Sequence, residues 1–338
     1  MRIDARTYDL ELEVPFTISR GTTTTHRICV AEIEHEGIKG YGEASPSAYY
    51  NDSPEKALET ILGCRDLVGN DPFAVSRVAE ALEEHFPESP SGRAAVEAAL
   101  YDIAGKVTGQ PLYRLLGLAG KRAPTTSYTV GIADLDRVRQ RIGFLRRFPI
   151  LKAKLGFGDE RALLDLLHNE TDSVLRVDVN EGWSPDEALE KIETYSDDYS
   201  IEFFEQPLSK EDREGYAELR KRTRATVLVD ESISSKKDVL AWAGLADGIN
   251  IKLMKCGGLG EALRMIAVAR AAGLRVMLGC MVESSLGITA AAHISPLVDY
   301  CDLDGNLLIN NVPFVGVKAR DGTIELPDMP GLGVVPSR

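Results

Sequence analysis

The stretch SVLRVDVNEGWSPDEALEKIETYSDDYSIEFFEQP, residues 173–207, decides the fold. Two short apolar runs, SVLRVDV and SIEFFE, each carry an acid at the end, Asp178 and Glu205. Between them lies SPDEALEKIETYS, a polar-faced segment that opens on a Ser-Pro helix start. A strand, a crossover helix and a second parallel strand need about this much chain. Working outward, the unit recurs. ILKAKLG (150–156) carries Lys152 and Lys154, TVLVDE (226–231) carries Asp230, and GINIKL (248–253) carries Lys252. From Lys152 the steps to Asp178, Glu205, Asp230 and Lys252 are 26, 27, 25 and 22 residues. The spacing predicts successive strands of one parallel sheet with all of these side chains at the carboxyl ends, where a (β/α) barrel holds its chemistry.

Eight such runs occur between residues 127 and 305: SYTVGI, ILKAKLG, SVLRVDV, SIEFFE, TVLVDE, GINIKL, LRVMLG and YCDLDG. Helical segments alternate with most of them, which favours a closed barrel over an open doubly wound sheet. Residues 1–120 read differently. Alternating strands (IDARTYDLEL, RICVAEIEH, GYGEA) come first, and three helices follow, from Ser53-Pro54 to about Leu67, near Phe73–His85, and from about Gly92 to Lys106 with an end at Gly109. That grouping is an α+β domain. The expected division is an α+β domain over 1–120, a barrel over 121–305, and a Gly/Pro-rich segment, 306–338, that returns to the first domain.

Composition narrows the function classes. The net charge of −13, without a basic stripe, argues against a nucleic-acid partner. No apolar run reaches membrane-spanning length, and arginines interrupt the longest. The amino terminus alternates like a strand and lacks a signal-peptide pattern. Five cysteines without CxxC spacing read as reduced thiols. A cytoplasmic protein is expected, acting on a small molecule, with no nucleic-acid or membrane partner; whether it forms a homo-oligomer stays open.

One strand-end Asp can simply cap the next helix. Three carboxylates converging at a barrel mouth repel one another unless a cation joins them, and oxygen ligands with open positions suit Mg²⁺. Asn180 and Glu231 lie close enough in sequence to support the ligands. Lys152 and Lys154 share one face of their strand, and an apolar interior would reject both. Two nearby ammonium groups lower each other's pKa, which would make a base available near neutral pH. Lys252, across the barrel, would supply a second base on the opposite side of one carbon. Lys255 is expected in the loop, without an assigned role. In CDLDG, Asp302 and Asp304 share a face; they read either as a turn with a capping Asp or as a clamp for a substrate cation such as an ammonium. KCGGLG fits a βα turn better than a phosphate loop.

These residues resemble the enolase superfamily in its muconate-lactonising subgroup, whose pairing of a lysine base with Mg²⁺ is well known. The motifs are K-A-K at 152–154, then Asp178, Glu205, Asp230 and Lys252, with DIAGKVTGQPLYRLLG in the first domain. The resemblance implies a modified TIM barrel, (β/α)7β, under an N-terminal capping domain. It also implies Mg²⁺ on Asp178, Glu205 and Asp230, acid/base roles for Lys154 and Lys252, and contact of Lys152 with a substrate carboxylate. Within the subgroup the D-x-D of Asp302 and Asp304 is similar to that of the dipeptide epimerases, which hold the substrate's α-ammonium there. Thr129, Cys280, Met281 and Val282 match substrate-lining positions, and Arg20 matches a mobile-loop arginine of L-Ala-D/L-Glu epimerases. A dipeptide spans about 7 Å at roughly 3.3–3.6 Å per residue, so it can bridge a cation and an ammonium clamp where a free amino acid cannot. The implied activity is epimerisation at the α-carbon of the second residue. Remaining alternatives are o-succinylbenzoate synthase, N-acylamino-acid racemase or cycloisomerase chemistry on the same scaffold, and a non-catalytic ligand-binding barrel.

Overall fold

The computed structural model describes residues 1–18, 21–131 and 135–337. Three antiparallel strands open the chain: β1 (Arg2–Ile18), β2 (Gly21–His35) and β3 (Ile38–Ala44). Alternation along β2 sends its two faces into different cores. Ile28 and Val30 join the large core that includes the barrel, whereas Cys29, Ala31 and Ile33 pack with the helices of the first domain. Those helices are α1 (Pro54–Gly63), α2 (Arg65–Val68), α3 (Val75–His85) and α4 (Pro90–Thr108).

The single helix expected from Ser53 to Leu67 is broken. Ser53 does cap it, accepting from Lys56 N, but the Cys64 thiol donates to Ile61 O at 3.1 Å. Cys64, at φ −78° and ψ 1°, ends α1, and the chain restarts as α2. Helix α4 ends, as its sequence implies, on Gly109 at φ +68°. It lies directly on β3 because Gly42 has no side chain; a Cβ there would stand 1.9 Å from Ala95 O.

Eight parallel strands follow in the sheet order β4 (Tyr128–Val130), β5 (Ile150–Lys154), β6 (Val174–Asp178), β7 (Ile201–Glu205), β8 (Val227–Val229), β9 (Gly248–Ile251), β10 (Arg275–Gly279) and β11 (Tyr300–Asp302). A bridge from Thr126 to Cys301 brings the two edges together, with Ser127 N donating to Cys301 O at 3.2 Å. One helix that the sequence reading passed over, Leu135–Leu145, follows β4. Its four charged residues mask a narrow apolar stripe, of which Val138 and Leu145 are buried. Helices over Glu160–Glu170, Pro185–Asp198, Arg213–Arg222, Lys236–Trp242, Leu259–Ala271 and Ser285–Ala292 lie between the later strands. The result is a (β/α)7β barrel beneath an α+β cap.

Inside the barrel a floor of Phe203, Leu228, Met277 and Tyr300 separates the mouth from the far end. Arg176 lies over Phe203 and Tyr300, 5.2 Å from each ring, and donates to Cys301 O at 2.6 Å and to Glu202 at 2.7 Å. Beyond β11 the chain runs back to the cap. Glu13 N donates to Leu308 O, Asn310 N to Glu11 O, and Leu332 N to the buried Asp102 carboxylate of α4. Among the described residues no helix is long and apolar enough to cross a membrane.

Candidate active site

The parallel register sets Lys154 beside Asp178 and Asp178 beside Glu205. Alternation then turns these side chains, with Lys152 two residues earlier, into the barrel above its floor. The Lys152 ammonium lies 2.9 Å from Asp178, 2.7 Å from Glu205 and 2.7 Å from Asp302. Lys154 donates to Asp178 at 2.6 Å and to Asn180 Oδ1 at 3.1 Å. Across the barrel Lys252 donates to Asp230 at 2.9 Å. Strands β6, β7 and β8 separate β5 from β9 on one side, and β10, β11 and β4 on the other, so Lys154 and Lys252 stand on opposite walls.

Lys255, expected in a loop, instead occupies a one-turn helix, Leu253–Cys256. It is fully enclosed, donating to the Asp230 carboxylate, to Asp230 O at 2.7 Å and to Asn250 O at 3.1 Å. The K-x-x-K spacing, nearly one helical turn, was the signal that both amines could reach one acid. Asn250, also unassigned from the sequence, donates to Glu205 Oε1 at 2.7 Å, and Gln206 Oε1 accepts from Asp230 N at 2.8 Å. Asn180 Nδ2 donates to Glu231 Oε1 at 3.0 Å.

Nearby amines do lower one another, Lys152 acting on Lys252 and Lys252 on Lys255, but carboxylates outweigh this at Lys152 and Lys252. Burial alone would lower the Lys152 and Lys252 ammonium groups, but each lies within 2.9 Å of a carboxylate. Asp178, Asp302 and Glu205 raise Lys152 well above its ordinary value, and Asp230 raises Lys252. Burial likewise works against ionised Asp178 and Asp230, yet the adjacent lysines hold both well below the usual carboxylate range. Glu205 differs. Burial and the Asp178 charge push it up to about 7.

These acids fit a hard divalent cation. Glu205 Oε2 is buried and accepts no hydrogen bond; its contact is the Lys152 ammonium. Glu205 thus has a carboxylate oxygen free of fixed donors in a region crowded with negative charge, and the donor set is all oxygen. Among the described residues no three acids close around a single point, and lysine ammonium groups lie against Glu205 and Asp230.

A cavity of about 360 Å³ opens above this layer. Its barrel wall includes Thr129, Lys152, Lys154, Lys252, Cys280, Met281, Val282, Asp302 and Asp304, and the cap contributes His26, Tyr49 and Tyr50. Arg20 lies outside the described residues. Asp302 accepts from Lys152 and from Ser127 Oγ, both at 2.7 Å. Asp304 accepts from Thr129 N at 2.6 Å, and burial together with Asp302 pushes it up to about 7. Cys280 forms wall: its thiol donates to Asp302 O at 3.3 Å, and burial raises it far beyond thiolate chemistry.

Residues 134–338 match the family described as enolase C-terminal domain-like, and residues 2–117 match the mandelate racemase/muconate lactonizing enzyme N-terminal domain. The chain belongs to the enolase superfamily. It is 39% identical over 330 residues to an L-Ala-D/L-Glu epimerase of Bacteroides thetaiotaomicron, covering 97% of this chain and 86% of that protein. A substrate-liganded L-Ala-D/L-Glu epimerase from Bacillus subtilis superposes with a TM-score of 0.93 at 30% identity, covering 100% and 99% of the two chains. A dipeptide epimerase from Enterococcus faecalis, complexed with Mg and L-Leu-L-Tyr, gives 0.91 at 33% identity, covering 98% of each.

Proposed function

We propose that this enolase-superfamily chain is a dipeptide epimerase, an isomerase that inverts the α-carbon of the second residue of a dipeptide such as L-Ala-D/L-Glu. The observation that carries the reading is a pair of lysines on opposite walls of one cavity, with three buried acids below and two more acids on the rim. Asp178, Glu205 and Asp230 would hold Mg²⁺, which supplies positive charge to a bound carboxylate as the neighbouring C–H is weakened. With Asp230 committed to the cation, the charge that raises Lys252 would be offset, and one of Lys154 and Lys252, as the free amine, takes the α-proton from its side. The other, as ammonium, returns a proton to the opposite face. Lys152 offsets part of the charge that reaches the substrate carboxylate when that proton leaves. Asp302 is already balanced by Lys152, whereas the raised Asp304 carboxyl beside it gains from a further cation. The substrate's α-ammonium supplies one, which an N-acylated amino acid could not do. The cap, with Tyr49 and Tyr50 facing the cavity, closes the side-chain end.

The test is the double variant Asp302→Asn with Asp304→Asn. A hydrogen bond to a charged group contributes about 1.5–3 kcal/mol, so kcat/KM for Ala-Glu should fall about 10- to 150-fold. Epimerisation at a near wild-type rate would remove the dipeptide reading and leave the acyl-amino-acid one.

A further inference from the structure

A second group of buried acids lies on the seam between cap and barrel. Glu43, at the end of β3, reaches over to the barrel helix Ser285–Ala292. Its carboxylate accepts from Ser284 N at 2.8 Å, from the Ser284 hydroxyl, and from Gly287 N at 3.4 Å. An acid of the cap therefore caps a helix of the barrel. Glu283 immediately precedes that helix cap, and its Oε1 accepts from Met281 N at 2.8 Å. A Cβ placed on Gly287 would stand 2.4 Å from Glu283 Oε2 and 3.2 Å from Glu43 Oε1, so the two carboxyl groups are neighbours above this glycine. Both residues are about 2% exposed.

The segment they hold is part of the cavity wall. Besides the Met281 and Ser284 bonds, Val282 O accepts from Ser45 Oγ at 2.9 Å. Ser45 Oγ in turn lies 2.7 Å from His26 Nε2, and burial keeps that imidazole neutral by pushing it down to about 4. Positions 281, 282 and 284 are thus each tied down, two of them to the cap, at the end of β3 and at the residue just after it.

Two carboxylates enclosed this closely do not both ionise; one keeps a proton, which then makes a hydrogen bond to the other. The donors decide which. Glu43 receives three hydrogen bonds and sits at a helix N-terminus, both of which favour its anion, whereas Glu283 receives one. Burial and Glu43 push Glu283 up to about 8; burial pushes Glu43, despite its donors, up to about 7. Among the described residues, the other charged group acting on Glu283 is Lys252 just after β9, and none besides Glu283 is set against Glu43.

We propose that Glu43 and Glu283 share a single proton across the cap–barrel seam, and that this proton holds Cys280–Glu283 against the cap as the substrate-facing wall. Both acids are positioning residues. The part concerning substrate rests on the epimerase reading; the shared proton does not.

Infrared difference spectroscopy of the full chain tests the proton directly. At about pH 7 the wild type should carry an un-ionised carboxylic acid band that Glu283→Gln lacks, and Glu43→Gln should move the loss of that band about one pH unit lower or more. Either variant decides the matter if the other fails to fold. A band unchanged in both variants would overturn the proposal. In kinetics, the wild-type KM for a dipeptide should rise about tenfold from pH 7 to about 9.5 as Glu283 ionises and the wall loosens, and Glu283→Gln should remove that rise. A rise of equal size in the variant refutes the positioning role. If the wild type turns over no dipeptide, the epimerase reading fails while the band still decides the shared proton.

Discussion

Replacing either wall lysine by methionine should divide the reaction into two halves. The structure permits the replacement. In Lys154→Met, Asp178 keeps Lys152 at 2.9 Å; in Lys252→Met, Asp230 keeps Lys255. Neither acid is stranded. The stability lost should therefore be nearer the ~1.5–3 kcal/mol of one charged hydrogen bond than the ~3–5 kcal/mol of an uncompensated buried ion. Thermal unfolding would register this as a drop of a few degrees. Catalysis should suffer more, because loss of a positioned base costs about 10² to 10⁴-fold. The loss must be one-sided. In D₂O the wild type exchanges the α-proton of both epimers and interconverts them. Each variant should exchange one epimer only, through its remaining lysine, and interconvert neither. The two variants should prefer opposite epimers, because β5 and β9 face each other across the barrel. Mass spectrometry on each pure epimer reads the exchange, and chiral chromatography reads the inversion. If both variants keep exchange with the same epimer, or either inverts at a rate within about tenfold of wild type, the opposed-base argument is wrong.

Chelation of divalent cations should abolish epimerisation, and Mg²⁺ should restore it; the apo protein should also melt lower by an amount that grows with the Mg²⁺ present in the reference sample. Gly42→Ala places a methyl 1.9 Å from Ala95 O, which the α4 backbone cannot avoid without leaving β3. Thermal or urea unfolding should register a loss of about 3 kcal/mol or more. His293 is buried, accepts from Tyr113 N at Nδ1 and lies 3.0 Å from Leu332 O at Nε2, and burial lowers it to about 4. The unfolded chain takes up this proton near pH 6.5, while the folded chain resists it until about pH 4. Its stabilising contribution is therefore complete above pH 6.5 and is lost on acidification below it. Urea denaturation at pH 7 and pH 5 should show a loss of about 2 kcal/mol from this group that His293→Gln lacks.

Much of the barrel was legible because a parallel strand buried on both faces leaves a short apolar run, and its last inward residue is free to be polar. The acids and lysines stood out against such runs. The helix Leu135–Leu145 escaped because its burial depends on a narrow stripe beneath arginines. The break at Cys64 is a local turn of the backbone that no periodicity records. At the site, the sequence placed Lys152, Lys154, Lys252 and the acids on strand ends, but not their partners. That Lys152 lies against Asp302 as well as Asp178 and Glu205 depends on the bridge that brings β11 round to β4. Lys255, Asn250 and Gln206 act within the layer through neighbours 20 to 45 residues away, and the Glu43–Glu283 pair joins positions 240 apart. Such pairings arise from closure in three dimensions and leave no local pattern.

The return of the chain after β11 sets an order of assembly. Asp102, buried in α4, receives the backbone of Leu332, and β1 receives that of Leu308 and Asn310. During synthesis, residues 1–112 emerge long before those partners exist. The roof over the catalytic mouth is therefore unfinished until the walls have been made, and its last fastenings are tied by the tail. A chain terminated just after Asp304 would hold every acid and amine discussed above, yet with its lid unsecured.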